Sequence, residues 1–212
     1  SLFIANEFFD SMAIKQFIKL ENLWFQRFVN IKKRNKAFFF DKKFNMKNYE
    51  KKIRYKISKN QNFIEYSEVG IEYLKIISNL IKKNYGGLLI IDYGYFESKM
   101  KNTLQAISNQ KYSNVLNNLG NCDITHNINF ELFKKITKNL GNLQELSTTQ
   151  RKFLINIGIK QRAEIISKNL PFSKKADIFY RLNRLIDERQ MGNLFKVMLI
   201  KNKNNKFNLG FK

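Results

Sequence analysis

The stretch Gly86-Gly87-Leu88-Leu89-Ile90-Ile91-Asp92-Tyr93-Gly94-Tyr95 constrains the fold more than any other. An apolar run opened by glycines and closed by Asp92, Tyr93 and Gly94 predicts a buried strand running into a tight loop. In open α/β sheets ligands sit beyond the carboxyl ends of such strands, which is where Asp92 and Tyr93 fall. A second segment has the same grammar: Leu2-Phe3-Ile4-Ala5 runs into Asn6-Glu7-Phe8-Phe9-Asp10. Two strands that bring carboxylates to one edge predict an enzyme cleft.

The elements around these strands agree with an α/β chain. From about Ser67, Val69, Ile71, Leu74, Ile77, Leu80 and Ile81 fall largely on one helical face, and Gly86-Gly87 are expected to cap that helix. Helix followed by buried strand is half of a doubly wound unit. Ala13–Lys19 and Trp24–Ile31, flanking a turn at Leu20–Leu23, predict a β-hairpin, with a further short strand at Lys36–Phe40. Residues 41–63 are Lys- and Asn-rich with weak periodicity and predict a surface excursion. The chain is thus expected to be one domain with a hairpin and loop excursion at about 13–63. Beyond Tyr95 a polar loop is expected to about Gln110, then a strand-like Asp123–Asn129 entering a helix at Phe130–Ile136 that Gly141 caps. Two more helices follow, one carrying Phe153, Leu154 and Ile157, the other starting near Arg162 and stopped by Pro171. A strand over Gly192–Ile200 and a last one at Phe207–Leu209 are expected to close the chain.

Charge and rare residues narrow the chemistry. The formal net charge of +22 is compatible with a nucleic-acid or anionic-lipid surface. However, Lys, Asn, Ile, Phe and Tyr are all in excess while Gly, Ala, Pro and Arg are scarce, the pattern of an AT-rich genome. Selection for polyanion binding would enrich the basic residues alone, so nucleic acid is not the expected partner. Cys122 and His126 are each the only residue of their type. That leaves no intrachain disulfide, no cysteine-based zinc site and no two-histidine metal site, so no metal is expected. It also points to a reducing compartment. No apolar run approaches the roughly 20 residues of a membrane span. The chain opens at Ser1 inside a strand pattern without an initiator Met, and is expected to have an upstream portion.

Neither phosphate-cradling glycine motif is present, and Gly86-Gly87 precede a strand instead of opening a helix. The acidic edge remains. Glu7, Asp10 and Asp92 could orient a nucleophilic amine or guanidine, or accept its proton. Glu7 reads equally well as a loop carboxylate bound to backbone, and Asp92 as a turn residue, because Asp-Tyr-Gly is good turn chemistry. Residues alone lead to an α/β, enzyme-like half-domain.

The order of motifs leads further. Ala5-Asn6-Glu7-Phe8-Phe9-Asp10, Gln16-Phe17, Trp24 with Arg27, Gly87 through Tyr95 and Thr103-Leu104-Gln105-Ala106 come first. Gly120 with Asp123-Ile124-Thr125, Asn129-Phe130, Gln150 through Leu154, Gly158-Ile159 with Arg162-Ala163, and Met191 through Val197 follow. In this order they resemble the MidA-type methyltransferases, a family that includes the mitochondrial complex I assembly arginine methyltransferase. The resemblance covers nearly the whole chain. It implies a class I, Rossmann-like S-adenosyl-L-methionine-dependent methyltransferase fold, with a mixed sheet ending in an antiparallel hairpin. Ser1–Ala5 would be the family's fourth strand and Leu88–Ile91 its fifth. The family's Gly-rich cofactor loop would lie upstream of Ser1, so the N-terminal part of the sheet is expected to be missing here and no cofactor-binding residue is assigned. Asn109-Gln110 stand where the family has a histidine.

By the same resemblance, an arginine nitrogen of a protein substrate attacks the sulfonium methyl. Glu7, with Asn6 beside it, would be the catalytic carboxylate; Asp10, Asp92, Tyr93 and Tyr95 would line the substrate side. The implied substrate is a respiratory complex I subunit or a similar protein, with homodimerisation open. The implied location is cytoplasmic in a bacterium or the matrix of a mitochondrion. Two alternatives stay open: a catalytically idle assembly module of the same fold and, ranked below it, a basic nucleic-acid binder.

Overall fold

The computed structural model describes residues 1–32, 36–109, 111–117 and 120–212. Gln110, half of the Asn109-Gln110 pair noted above, lies outside them. Strand β1 (Leu2–Asn6) leads into β2 (Lys15–Leu20), β3 (Leu23–Lys32), β4 (Lys36–Phe44), helix α1 (Met46–Ile53) and β5 (Phe63–Tyr66). The strands of this excursion form an antiparallel sheet in the order β4-β3-β2-β5. The expected hairpin is β2–β3. It pairs Leu20 with Leu23 and turns on Glu21 and Asn22, whose φ angles of 46° and 65° give the twist that two-residue hairpins need.

Residues 41–63 are mostly exposed, as expected of a surface excursion, but they are not without regular structure. Asn45 caps α1 by accepting from the Asn48 N–H at 3.0 Å, and Met46 and Tyr49 bury one face of it. An eight-residue helix offers so few core positions that its period is faint in the sequence. β5 then pairs with β2 and buries Ile64, Glu65 and Tyr66 in succession, without the alternation that marks a half-exposed strand.

Helix α2 (Glu68–Asn84) starts at Ser67, whose Oγ accepts from the Gly70 N–H at 3.0 Å. It ends on Tyr85 in the left-handed region, φ 50°, and not on Gly86-Gly87 as expected. Gly86 serves close packing instead: a Cβ there would collide with the Ser1 carbonyl. Strand β6 (Gly87–Tyr95) runs parallel to β1, with Leu2 opposite Gly87 and Asn6 opposite Ile91. The segment after it, expected as a plain loop, contains β7 (Gln105–Ser108), which pairs with both β8 (Lys111–Ser113) and β9 (Asp123–Thr125). β10 (Ile128–Asn129) joins the end of β6, and Asn129 caps α3 (Phe130–Leu140) by accepting from the Leu132 N–H at 2.9 Å.

β11 (Leu143–Thr149), α4 (Gln150–Asn156), α5 (Ile159–Ser167), α6 (Phe172–Ile186), α7 (Met191–Leu194) and β12 (Phe195–Asn202) complete the fold. The main sheet has the order β1-β6-β12-β11, with β12 antiparallel to both of its neighbours. The mixed sheet with a terminal antiparallel pair is therefore present, but β11 supplies the second strand. Residues 207–209 form no strand, because their carbonyl neighbourhood is already used. Lys201 Nζ, buried, donates to the carbonyls of Asn205 (2.7 Å) and Phe207 (2.6 Å), while the Asn205 side chain accepts from the Phe207 N–H.

The core lies between the main sheet and the α2–α3 pair. Leu74 and Ile81 of α2 meet Leu88 and Ile90 of β6 and Ile200 of β12, all fully buried at about 1.5–3 kcal/mol each. On β1, Ala5 faces this core, whereas Leu2 and Ile4 are 65% and 67% exposed on the opposite face. No helix among the described residues is long and apolar enough to cross a membrane.

Candidate active site

β6 runs on through Asp92, Tyr93 and Gly94, which pair with β12 and β10 instead of turning into the expected loop, so the end of β1 comes to lie beside Asp92 within β6. β1 ends at Asn6, and Glu7 turns the chain away at φ 45°, a left-handed conformation that is costly for a residue with a side chain. The turn is held because the Glu7 N–H donates to the Ile91 carbonyl at 3.0 Å. Two residues on, the Phe9 N–H donates to Asp92 Oδ2 at 3.0 Å, while Asp92 Oδ1 accepts from the Tyr93 N–H at 2.9 Å. Phe9, 1% exposed, plugs the space beneath the loop edge-on to Phe133. The Asp10 carbonyl accepts from the His126 N–H at 3.0 Å, which ties the loop to the segment before β10.

These residues divide by exposure. Asn6 and Glu7 reach solvent, and the Asn6 amide approaches Glu7 Oε1 at 3.4 Å. Tyr93 is half-buried, with its ring against Phe195 at 4.1 Å between centroids. Asp92 (0% exposed), Asp10 (3%) and Tyr95 (8%) are buried, so the structure does not place them on an open substrate wall. Asp92 spends both oxygens on backbone N–H groups. Tyr95 Oη accepts from the Lys101 N–H at 3.1 Å.

Burial sets the protonation of the inner layer. Burial first, and then the Asp10 charge, pushes the Asp92 carboxyl up to about 7. Asp10 is raised by burial, with Glu7 and Asp123 adding like-charge repulsion. His126 is pushed down by burial. The Asp10 Oδ1 and His126 Nε2 atoms are both buried without a hydrogen-bond partner among the described residues. Sequence reasoning gave His126 no role. Its place behind the loop carries no local signal, because the contact is made through backbone.

A second buried carboxylate escaped the sequence. Glu65 of β5 accepts from Gln16 Nε2 at 2.7 Å and from both the N–H (3.3 Å) and the hydroxyl of Thr103, and burial raises its pKa. Thr103 Oγ1 in turn accepts from the Asn127 N–H at 2.8 Å. The network joins the excursion sheet to the segment before β7 and to the strand leading into α3.

The exposed end of β1 offers acceptors and a ring: the Glu7 carboxylate, the Asn6 amide and the half-exposed Phe8, set edge-on to Tyr73. These acceptors and the ring fit the cationic sulfonium end of S-adenosyl-L-methionine and a guanidinium beside it. They do not by themselves provide a cradle for the nucleoside.

A family model for S-adenosyl-L-methionine-dependent methyltransferases matches residues 1–149. The chain is 27% identical over 221 residues to protein arginine methyltransferase NDUFAF7, mitochondrial, of Danio rerio, covering 95% of this chain and 47% of that protein. The homologue of Caenorhabditis elegans is 27% identical over 165 residues, covering 76% of this chain and 38% of its own. Two crystal structures from Burkholderia thailandensis share the fold. One superposes with a TM-score of 0.80 at 21% identity, covering all of this chain and 56% of its own. The other, bound to S-adenosyl-homocysteine, gives 0.78 at 20% identity, covering 99% and 55%. The chain spans about half the length of the relatives it matches.

Proposed function

Because the chain belongs to the MidA-type S-adenosyl-L-methionine-dependent methyltransferase family, we propose that it carries the acceptor-side half of a protein arginine methyltransferase site. The observation that carries this is the end of β1. There Asn6 and Glu7 stand exposed on a left-handed turn held from below by Ile91 and Asp92. The name protein arginine methyltransferase, borne by the relatives, supports arginine as the acceptor. The acceptor protein is a respiratory complex I subunit or one of similar kind.

Bound S-adenosyl-L-methionine supplies an electrophilic methyl group on its sulfonium sulfur. Glu7 accepts N–H groups of the substrate guanidinium, which aims one nitrogen at the methyl and holds the cation within reach. The proton shed when that nitrogen gains a carbon passes to the Glu7 carboxylate. Asn6, through its amide, fixes the Glu7 rotamer. Asp92 acts on the loop and not on the substrate: its carboxylate holds the Phe9 N–H, and the loop position of Glu7 follows. Tyr93, beside Phe195, forms the wall next to this turn.

The test is Glu7→Gln in the full-length protein. Methyl transfer to a peptide arginine is expected to fall by about 10²-fold or more while S-adenosyl-L-methionine affinity, read by calorimetry, is unchanged. Equal loss of both rejects the role given to Glu7. No heat with the wild-type protein rejects the enzyme reading altogether.

A further inference from the structure

Away from the β1–β6 edge, the excursion sheet and α1 enclose a groove of about 790 Å³. Its floor is apolar, built from Trp24 of β3, Met46 of α1 and Tyr55, all packed against the core. Its rim is basic: Lys19, Lys47, Lys51, Arg54 and Lys56 line it, with Glu50 the one acid. The Glu50 carboxylate is already taken by the Ser58 N–H at 2.8 Å. None of the five cations makes an ion pair among the described residues. Basic residues make up 39 of the chain's 212, so an even spread would put about two among the eleven that line the groove. The general basicity of the chain does not account for five.

The groove does not end there. A second depression of about 480 Å³ shares Asn22, Trp24, Met46 and Lys47 with it and extends the apolar floor over Leu23 and Phe44, with Lys43 added to the rim. The whole is a trough with a cationic border, which suits an extended polymer. Nucleic-acid bases stack on aromatic rings, but Met46 and Leu23 offer no ring face, and a floor that mixes them with Trp24 and Phe44 favours a chain whose apolar groups are peptide side chains. We propose that this trough docks an acidic peptide segment bearing an aromatic or aliphatic side chain, which seats on Trp24 while its carboxylates meet the lysine rim. The proposal goes beyond the methyl-transfer reading and does not depend on it.

Trp24 is the chain's single tryptophan and reports occupancy directly. A fluorescein-labelled Asp/Glu-rich peptide with one phenylalanine is titrated into the purified protein, with anisotropy and Trp24 emission read together. Saturable binding with a shift in Trp24 emission is expected. Lys47→Glu/Lys51→Glu should weaken it about tenfold or more, and Lys47→Gln/Lys51→Gln by a smaller factor. An equal charge change on α3, Lys134→Glu/Lys138→Glu, should weaken it by less than about twofold. Replacing the peptide's phenylalanine with serine should weaken binding and remove the emission shift. Equal loss from both charge-reversal pairs overturns the proposal, since it means unspecific attraction to a basic protein. So does absence of binding, or tighter binding of an oligothymidylate or of phosphatidylserine vesicles at the same site.

Discussion

The Phe9 N–H donates to the Asp92 carboxylate at 3.0 Å, and this bond joins the loop after β1 to the interior of β6 across 83 positions of sequence. Asp92 has no solvent exposure, so its charge has no water to stabilise it and its pKa climbs to about 7. Asp92, expected to face a ligand, instead holds the loop that follows the exposed Asn6 and Glu7. Its second oxygen, on the Tyr93 N–H, makes the junction two-pronged.

Asp92→Asn keeps the shape but leaves one carbonyl oxygen for two backbone donors. Amide hydrogen exchange at Phe9 or Tyr93 is expected to accelerate, and stability at acid pH to fall by about 1–3 kcal/mol for the orphaned N–H. The loss depends on pH. The folded carboxyl titrates near 7 and the unfolded one near 3.8, so the wild type's advantage is full below 3.8 and is lost as pH rises through 7. Urea midpoints at acid and neutral pH should show the gap between wild type and Asp92→Asn narrowing as pH rises. A gap that widens would reject the assignment.

Glu65 gives a second prediction. Every group facing its carboxylate is a donor: Gln16 Nε2, the Thr103 N–H and the Thr103 hydroxyl. Glu65→Gln would turn an amide NH2 toward those donors and is expected to cost roughly 2–4 kcal/mol, read from thermal or urea unfolding. Thr103→Val should cost roughly 1–3 kcal/mol, since it also strands the Asn127 N–H, and Thr103→Ser should restore most of it.

Much of this fold is legible where the apolar period is clear. β1, the β2–β3 hairpin, α2 and β6 all carry local signals strong enough to place them. β11 does not. Gln144, Ser147, Thr148 and Thr149 give it no apolar alternation, and it is a strand because β12 pairs with it from Leu143–Asn202 to Thr149–Lys196. α6 does carry an amphipathic period over Phe172–Ile186, so its absence from the expected elements is a signal passed over and not a signal lacking, although Phe172 and Tyr180 stay in solvent. At the site, the sequence brought Glu7, Asp10 and Asp92 to one edge correctly. It could not sort them by exposure, because burial of Asp92 depends on Phe9 and Asp10 arriving from another part of the chain.

Gly94 tests the close approach of β10 and α3 to β6. A Cβ there would stand 2.5 Å from Phe130 Cε2 and closer still to the Ile128 carbonyl. Phe130 is fully buried and cannot swing aside. Gly94→Ala is expected to destabilise the protein by roughly 2–4 kcal/mol, as overpacking of a rigid core does, and to lower the melting temperature accordingly.

Tyr85 provides a prediction of the opposite sign. It closes α2 at φ 50°, where a side chain costs roughly 1 kcal/mol and glycine costs little. Its ring is 64% exposed, so little packing is lost on removing it. The contacts that matter there are made by backbone: its N–H reaches the Ile81 carbonyl, and its own carbonyl accepts from Asn205 Nδ2 at 3.3 Å. Both survive in Tyr85→Gly. Glycine also loses more freedom on folding, which offsets part of the gain. The net is an expected stabilisation of about 0.5 kcal/mol, visible as a small rise in urea midpoint. Tyr85→Ala separates the two contributions: it discards the ring but keeps the strained φ, and should be no more stable than the wild type. If Tyr85→Ala gained as much as Tyr85→Gly, the gain would come from removing the ring and not from relieving the left-handed cap.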